Sequence, residues 1–213
     1  MATRGRAGLA CGAALALLLV PATARAGQPT EQLRTAIDRV LKVLDDPELR
    51  KEGRARERRA EVRRIANDIF DFEETARRSL ARHWLSRTPL ERDEFVQLFA
   101  DLLEHSYISK IELYGGEKIA YVGDTIDGDV ATVRTRITTR QGTEIPVDYR
   151  MHRRGERWLV YDVIIEGVSL VANYRVQFNK IITTSSYQEL VKKMRDKQDE
   201  FYGDEKQGRT SQR

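Results

Sequence analysis

Residues 118–165 read KIAYVGDTIDGDVATVRTRITTRQGTEIPVDYRMHRRGERWLVYDVII, and their two-residue rhythm decides the fold. Ile119 and Tyr121 alternate with Lys118 and Ala120. Ala131, Val133, Thr135 and Ile137 alternate with Thr132, Arg134 and Arg136. Ile145, Val147, Tyr149 and Met151 alternate with Glu144, Asp148 and Arg150. A period of two sends every second side chain to one face of a strand. Asp127-Gly128-Asp129, Gln141-Gly142 and Arg154-Gly155-Glu156 are tight-turn signals between the runs. Trp158 to Ile165 is apolar on both faces except at Asp162. Short turns between alternating strands predict an antiparallel meander of at least four strands. With a regular pleat, one face carries Ile119, Tyr121, Val133, Ile137, Val147, Tyr149, Met151, Leu159, Tyr161, Val163 and Ile165.

On either side of this stretch the apolar period becomes 3.6. Leu33, Ile37, Val40, Leu41 and Leu44 form a helical stripe with Thr30 as the expected N-cap, ended by Asp45-Asp46-Pro47. A second helix, dense in Arg and Glu from Arg50 to Arg64, shows its apolar stripe at Ala55, Val62, Ile65, Ala66 and Ile69. Asp71 with Glu74 predicts a capping box, and Thr88-Pro89-Leu90-Glu91 a stronger one opening a long helix. Phe95, Leu98, Phe99, Leu102, Leu103, Ser106 and Tyr107 line its broad face, and Tyr114-Gly115-Gly116 stops it. Two more helices are expected, over Leu170 to Ile182 and from Ser186, with Glu189 in its first turn, toward Tyr202. The fold class is therefore α+β: helices packed on one face of a strongly curved antiparallel sheet. Such a helix-on-sheet cone has an apolar interior. Packed cores and apolar ligand pockets use the same residue types, so periodicity leaves open whether it is filled or hollow.

The chain has 213 residues. Its N-terminus pairs Arg4 and Arg6 with an apolar run from Ala7 to Val20, broken by Pro21. This predicts a signal peptide over residues 1–26, cleaved after Ala26, with Ala22-Thr23-Ala24 as the alternative small-x-small site. Arg4, Arg6 and Arg25 lie in that segment, so its removal takes the formal charge from +4 to +1. A near-neutral chain is not a general nucleic-acid binder. Cys11, the only cysteine, lies inside the apolar run, which leaves the remainder without disulfide, thiol chemistry or cysteine metal ligands. Residues 27–202 are expected to form one domain, followed by a disordered polar tail over 203–213.

Catalytic patterns are missing. His83, His105 and His152 have no metal-ligand spacing, and no glycine-rich phosphate loop or G-x-S-x-G elbow occurs. The basic run Arg50, Lys51, Arg54, Arg56, Arg58, Arg59, Arg63 and Arg64 is interrupted by Glu52, Glu57 and Glu61. It reads as a solvated helix laced with i,i+4 ion pairs, or alternatively as a docking surface for anionic headgroups or an acidic partner.

Several stretches resemble the MlaC family, also known as the toluene-tolerance family. They are Phe70-Asp71-Phe72-Glu73-Glu74 with Arg77, Arg78 and His83-Trp84; Gly128-Asp129 with Ala131-Thr132-Val133; and Pro146-Val147 with Tyr149. The most specific run is Trp158-Leu159-Val160-Tyr161-Asp162-Val163, Ile165-Glu166-Gly167-Val168-Ser169-Leu170-Val171, Asn173-Tyr174-Arg175 and Gln177-Phe178. The resemblance covers about Glu31 to Leu190. It implies a nuclear-transport-factor-like cone with an added helical part. It also implies a periplasmic phospholipid carrier that shuttles lipid between an outer-membrane lipoprotein–porin complex and an inner-membrane ABC transporter with an MCE-domain ring. No cofactor is implied, the lipid being cargo. The expected tail pocket is Tyr107, Ile111, Tyr121, Val133, Val147, Tyr149, Met151, Tyr161, Val163, Val168, Leu170, Tyr174 and Phe178. An Asp162–Arg175 ion pair is expected to support its entrance. The competing expectations are a cone-fold enzyme for a small apolar molecule and a solid-core interaction module.

Overall fold

The computed structural model describes residues 28–51 and 53–207. The signal peptide expected over 1–26 and the end of the polar tail lie outside them. Among the described residues six α-helices and five strands follow one another: α1 (Gln28–Asp45), α2 (Ala55–Ile69), α3 (Phe72–Leu80), α4 (Pro89–Glu112), β1 (Lys118–Asp127), β2 (Val130–Thr138), β3 (Glu144–Arg154), β4 (Arg157–Ile165), β5 (Val168–Ser169), α5 (Leu170–Thr184) and α6 (Tyr187–Gln207). The α+β expectation holds, with helices on a curved antiparallel sheet of order β1-β2-β3-β4-β5.

The helix starts follow their capping chemistry. Thr88 and Glu91 close a reciprocal box: the Glu91 N–H donates to Thr88 Oγ1 at 3.2 Å and the Thr88 N–H to Glu91 Oε2 at 2.8 Å. Asp71 accepts from the Glu74 N–H at 2.9 Å, but the Glu74 carboxylate turns to Arg77 and Arg78 instead of closing a box. Thr30 is not a cap. It sits buried in the first turn of α1, where its hydroxyl donates to Asp124 Oδ2 at 2.7 Å and ties α1 to β1. The α6 helix continues to Gln207, past Gly203, where the polar tail was expected to begin.

Two bulges bend the sheet and break the regular pleat. In β1 the pairing passes from Tyr121↔Thr135 to Gly123↔Arg134, skipping Val122, and Gly123 takes a φ of 137°. In β4 it passes from Asp162↔Arg150 to Val160↔Met151, skipping Tyr161. One extra residue sharpens the local twist and reverses the alternation beyond it. Val163 and Ile165 therefore share the inner face with Val160 and Trp158, and the side-chain sequence expected there (Leu159, Tyr161) is displaced.

Two cores result. A helical one gathers Ala76, Leu80, Trp84, Phe95, Leu98, Phe99, Phe178, Tyr187, Leu190, Val191 and Met194 from α3 through α6. A second lies beneath α1 and α2 on one end of the sheet, with Leu33, Ala36, Ile65 and Ile69 over Ala131, Val133, Met151, Trp158 and Val160.

Candidate functional site

Beside the second core the inner face of the sheet is not covered by side chains. A cavity of about 980 Å³ opens between α1, α2, α4 and the strands. Its floor is Ile119 (β1), Ile137 (β2), Ile145, Val147 and Tyr149 (β3), and Val163 and Ile165 (β4). Its walls are Ile37, Val40, Leu41 and Leu44 of α1, Val62, Ala66 and Ile69 of α2, and Leu103, Tyr107, Ile108 and Ile111 of α4, with Leu170 closing it at the start of α5. The lining is overwhelmingly aliphatic. Burial pushes the Tyr149 hydroxyl up to about 12 and raises that of Tyr107, so both stay neutral and uncharged in this wall.

Polar groups stand at two rims. One is a seam between α2 and α4 with Arg63, Asn67, Gln97, Asp101 and Glu104. The other, at the end of α4, has Lys110 and Glu117 beside Leu113 and Tyr114. Arg63 Nη2 lies 2.6 Å from Asp101 Oδ1 and also pairs with Glu104. Further along, Arg58 and Arg59 both hold Glu112, at 2.9 and 3.0 Å. Burial would raise the Glu112 carboxyl, but the two guanidiniums outweigh it and the net shift is downward. The basic run thus differs from the expected i,i+4 lacing. Arg64 does pair with Glu61 on its own helix, but Arg58, Arg59 and Arg63 reach across to α4. They strap the two helices that flank the cavity.

Six expected pocket residues lie in this lining: Tyr107, Ile111, Val147, Tyr149, Val163 and Leu170. Seven do not, and each has a physical reason. Val133 and Met151 are fully buried under α1 and α2, in the filled end of the sheet. Tyr121 faces inward but is capped by the Arg34 guanidinium 4.2 Å from its ring; its hydroxyl finds no hydrogen-bond partner among the described residues. Tyr161 is the bulge residue. Its carbonyl accepts from Thr75 Oγ1 at 3.0 Å, and its ring packs between Arg78 and the edge of His152, on the α3 side. Val168, in β5, is 58% exposed. Tyr174 and Phe178 belong to the helical core, edge-on to Phe99 at 5.0 and 5.1 Å. The expected Asp162–Arg175 pair is also absent. Asp162 is held by Arg150 at 3.2 Å, the Ser169 hydroxyl at 2.7 Å and the Val171 N–H at 3.0 Å, whereas Arg175 donates to the Arg78 carbonyl.

The walls supplied by α1 and α2 were missed as site residues. Their stripes were legible as Leu33–Leu44 and Val62–Ile69, but a stripe facing a cavity is identical to one facing a packed core. Among the described residues no cluster of three or more His, Cys, Asp or Glu is placed to hold a metal, and no helix is long and apolar enough to cross a membrane.

Fold and cavity together define an α+β protein with a large apolar chamber between a curved sheet and its helices. Residues 34–196, most of the chain, match the family model described as MlaC protein, and the chain belongs to the MlaC family. It is 24% identical over 138 residues to the intermembrane phospholipid transport system binding protein MlaC of Haemophilus influenzae. That match covers 61% of this chain and 64% of the relative, a little under two thirds of its length. It is also similar to a phospholipid-binding protein from Ralstonia solanacearum solved in complex with a phospholipid. The TM-score is 0.72 at 25% identity, over 80% of this chain and 96% of that one.

Proposed function

We propose that this chain is a phospholipid carrier that holds acyl tails in the cavity between sheet and helices. The single observation that carries this reading is the cavity itself, about 980 Å³ and walled by aliphatic side chains. Taking a methylene as about the size of a water molecule in liquid, ~30 Å³, the space matches roughly thirty such groups, or two acyl tails. The name of the Haemophilus relative and the lipid held by the Ralstonia protein support it.

The energetics fit a shuttle. Each buried methylene contributes about 0.8 kcal/mol, so two tails gain roughly 20–25 kcal/mol relative to water. A bilayer offers a similar gain, which leaves transfer between membrane and cavity close to balanced. Direction is then imposed by partners, and no covalent step or cofactor is required. In this proposal residues 1–26 are removed on export, residues 27–202 form the lipid-binding domain, and the protein works in the periplasm. It exchanges lipid with an inner-membrane MCE-domain ABC transporter complex and an outer-membrane lipoprotein–porin complex.

Organic extraction of freshly purified protein followed by mass spectrometry tests the reading, with two-tailed phospholipid expected at near-stoichiometric amount. Val163→Asp places a carboxylate in the apolar floor, where an unpaired polar group costs several kcal/mol. Lipid content is expected to fall at least tenfold, with the protein still exported and folded. Wild-type lipid content in the folded variant would remove the cavity as the tail site.

A further inference from the structure

The α2–α4 seam has more chemistry than a strap needs. Arg63 and Asn67 are one helical turn apart on α2; Gln97, Asp101 and Glu104 follow at i, i+4 and i+7 on α4. All five line the cavity, beside the apolar positions Val62, Ala66, Ala100 and Leu103. Each helix therefore presents an apolar stripe to the chamber and a polar stripe at its rim, with the two polar stripes facing each other. The α2 helix packs on α1; it meets α4 through Val62 and Ile108, through Arg58 and Arg59 on Glu112, and at the seam through Arg63. Arg63 is 40% exposed, whereas Asp101 and Glu104 are 17% and 21% exposed, so the carboxylates sit deeper than the guanidinium; Asp101 also accepts from the Gln198 amide of α6 through its other oxygen, which holds it in place when Arg63 turns to a new partner. At the other rim Leu113 is 80% exposed, Glu117 is engaged by the Gly115 N–H at 2.7 Å, and the exposed Lys110, whose ammonium lies 5.2 Å from the Tyr107 ring, is a lone cation with no carboxylate pair beside it among the described residues to take an ammonium.

We propose that the α2–α4 seam is the headgroup site, and that it selects zwitterionic, ammonium-bearing phospholipids over singly anionic ones. The inference rests on the carrier reading and adds to it the class of lipid carried. A zwitterion can enter an ion pair by partner exchange. Its phosphate takes the Arg63 guanidinium and the Asn67 and Gln97 amides, while its ammonium takes Asp101 and Glu104. Every charge is paired again after the exchange. An anionic headgroup satisfies Arg63 but strands two carboxylates beside its own phosphate, with like charges at close range. The seam's fixed charges, one cation and two acids, sum to a negative site, which fits a headgroup that contains a cation.

The test loads the delipidated exported protein from vesicles of equal phosphatidylethanolamine and phosphatidylglycerol with identical acyl chains, and reads the bound ratio by mass spectrometry. The wild type is expected to be enriched about three- to fivefold in the ethanolamine lipid, the range of one partly exposed ion pair. The Asp101→Asn/Glu104→Gln double variant is expected to lose or invert that preference among the lipid it binds. A seam that only straps the helices would change total loading and leave the ratio alone. Equal loading by the wild type overturns the inference, as does a double variant that keeps the wild-type ratio. If the double variant does not fold, Asp101→Asn alone, which leaves Glu104 on Arg63, must shift the ratio in the same direction. A wild type that takes up no lipid of either kind would instead defeat the carrier reading.

Discussion

The inner face of the sheet is filled at one end and hollow at the other, although the same strands build both ends. In β2, Ala131 and Val133 are packed and Ile137 borders the cavity. In β3, Met151 is packed and Val147 and Ile145 border it; in β4, Trp158 and Val160 are packed and Val163 and Ile165 border it. The filled end holds the long or broad side chains, Met151 and Trp158, directly under α1 and α2. Apart from Tyr149, which also packs against the filled end, the hollow end is floored by the short branched side chains of Ile and Val. The helical core is filled in a third way, with Phe95, Phe99 and Phe178 meeting at centroid distances of 5.1–5.8 Å, two of the three pairs edge-on. In the helical core close packing is thus achieved with rings meeting mostly edge-on, whereas the chamber is floored mainly by short branched side chains, with Tyr149 at its boundary with the filled end.

The largest effect is expected where packing is tightest. Phe99 is 1% exposed and touches Phe95, Phe178 and Tyr174. Phe99→Ala should cost about 3–5 kcal/mol of stability, the range for a ring removed from a close-packed core. Urea or thermal unfolding measures it. A loss below about 1 kcal/mol would mean that the helical core is as loosely filled as the chamber.

Next comes an electrostatic element on the solid side of the molecule. Glu74 is 5% exposed. Burial raises its carboxyl, but hydrogen bonds from Arg77 and Arg78 more than reverse this and hold it at about 2 against an ordinary 4.5. A depressed folded value means that this contribution is fully present above pH 4.5 and is lost as pH falls toward 2. The span corresponds to at most about 3 kcal/mol. Stability of the wild type should therefore decline over that acid window, and Glu74→Gln should flatten the decline while lowering stability at neutral pH. Parallel pH profiles for the two proteins would show that Glu74 carries no such linkage.

How far the sequence led depends on which periodicity was in play. The strands were legible because Val133 alternates with Thr132 and Arg134, Val147, Tyr149 and Met151 alternate with Asp148 and Arg150, and their turns carry Gly128, Gly142 and Gly155. The helices were legible because Thr88-Pro89-Leu90-Glu91 and the stripes of α1 and α2 leave little alternative. The bulges at Val122 and Tyr161 were not, since an extra residue in a strand has no signature in an apolar run such as Trp158 to Ile165. That single slip carried Tyr161 from the expected cavity to the α3 face. The division of the sheet into filled and hollow ends was illegible for a deeper reason. Met151 and Val147 occupy the same face of β3 with the same alternation, and only the distance to the covering helix distinguishes them. Tyr174 and Phe178 fall in stretches that resemble the family and also in a helix whose apolar side packs on α4. The resemblance alone could not say that they serve the helical core rather than the chamber.

The smallest effect tests that distinction most directly. Met151→Ala in the filled end should cost about 2–5 kcal/mol, because the space it vacates has no other occupant. Ile137, on the same inner face, already borders open space. Its truncation to Ala enlarges an existing chamber instead of creating a new void, and Ile137 is only half-buried, so in delipidated protein the cost should stay near 1 kcal/mol, below the roughly 2 kcal/mol for transferring its three lost carbons from full burial. Urea midpoints of both variants without lipid would give the two values. Equal losses would mean that without cargo the sheet and α4 close on each other, that Ile137 then packs as tightly as Met151, and that the chamber forms only as the tails enter.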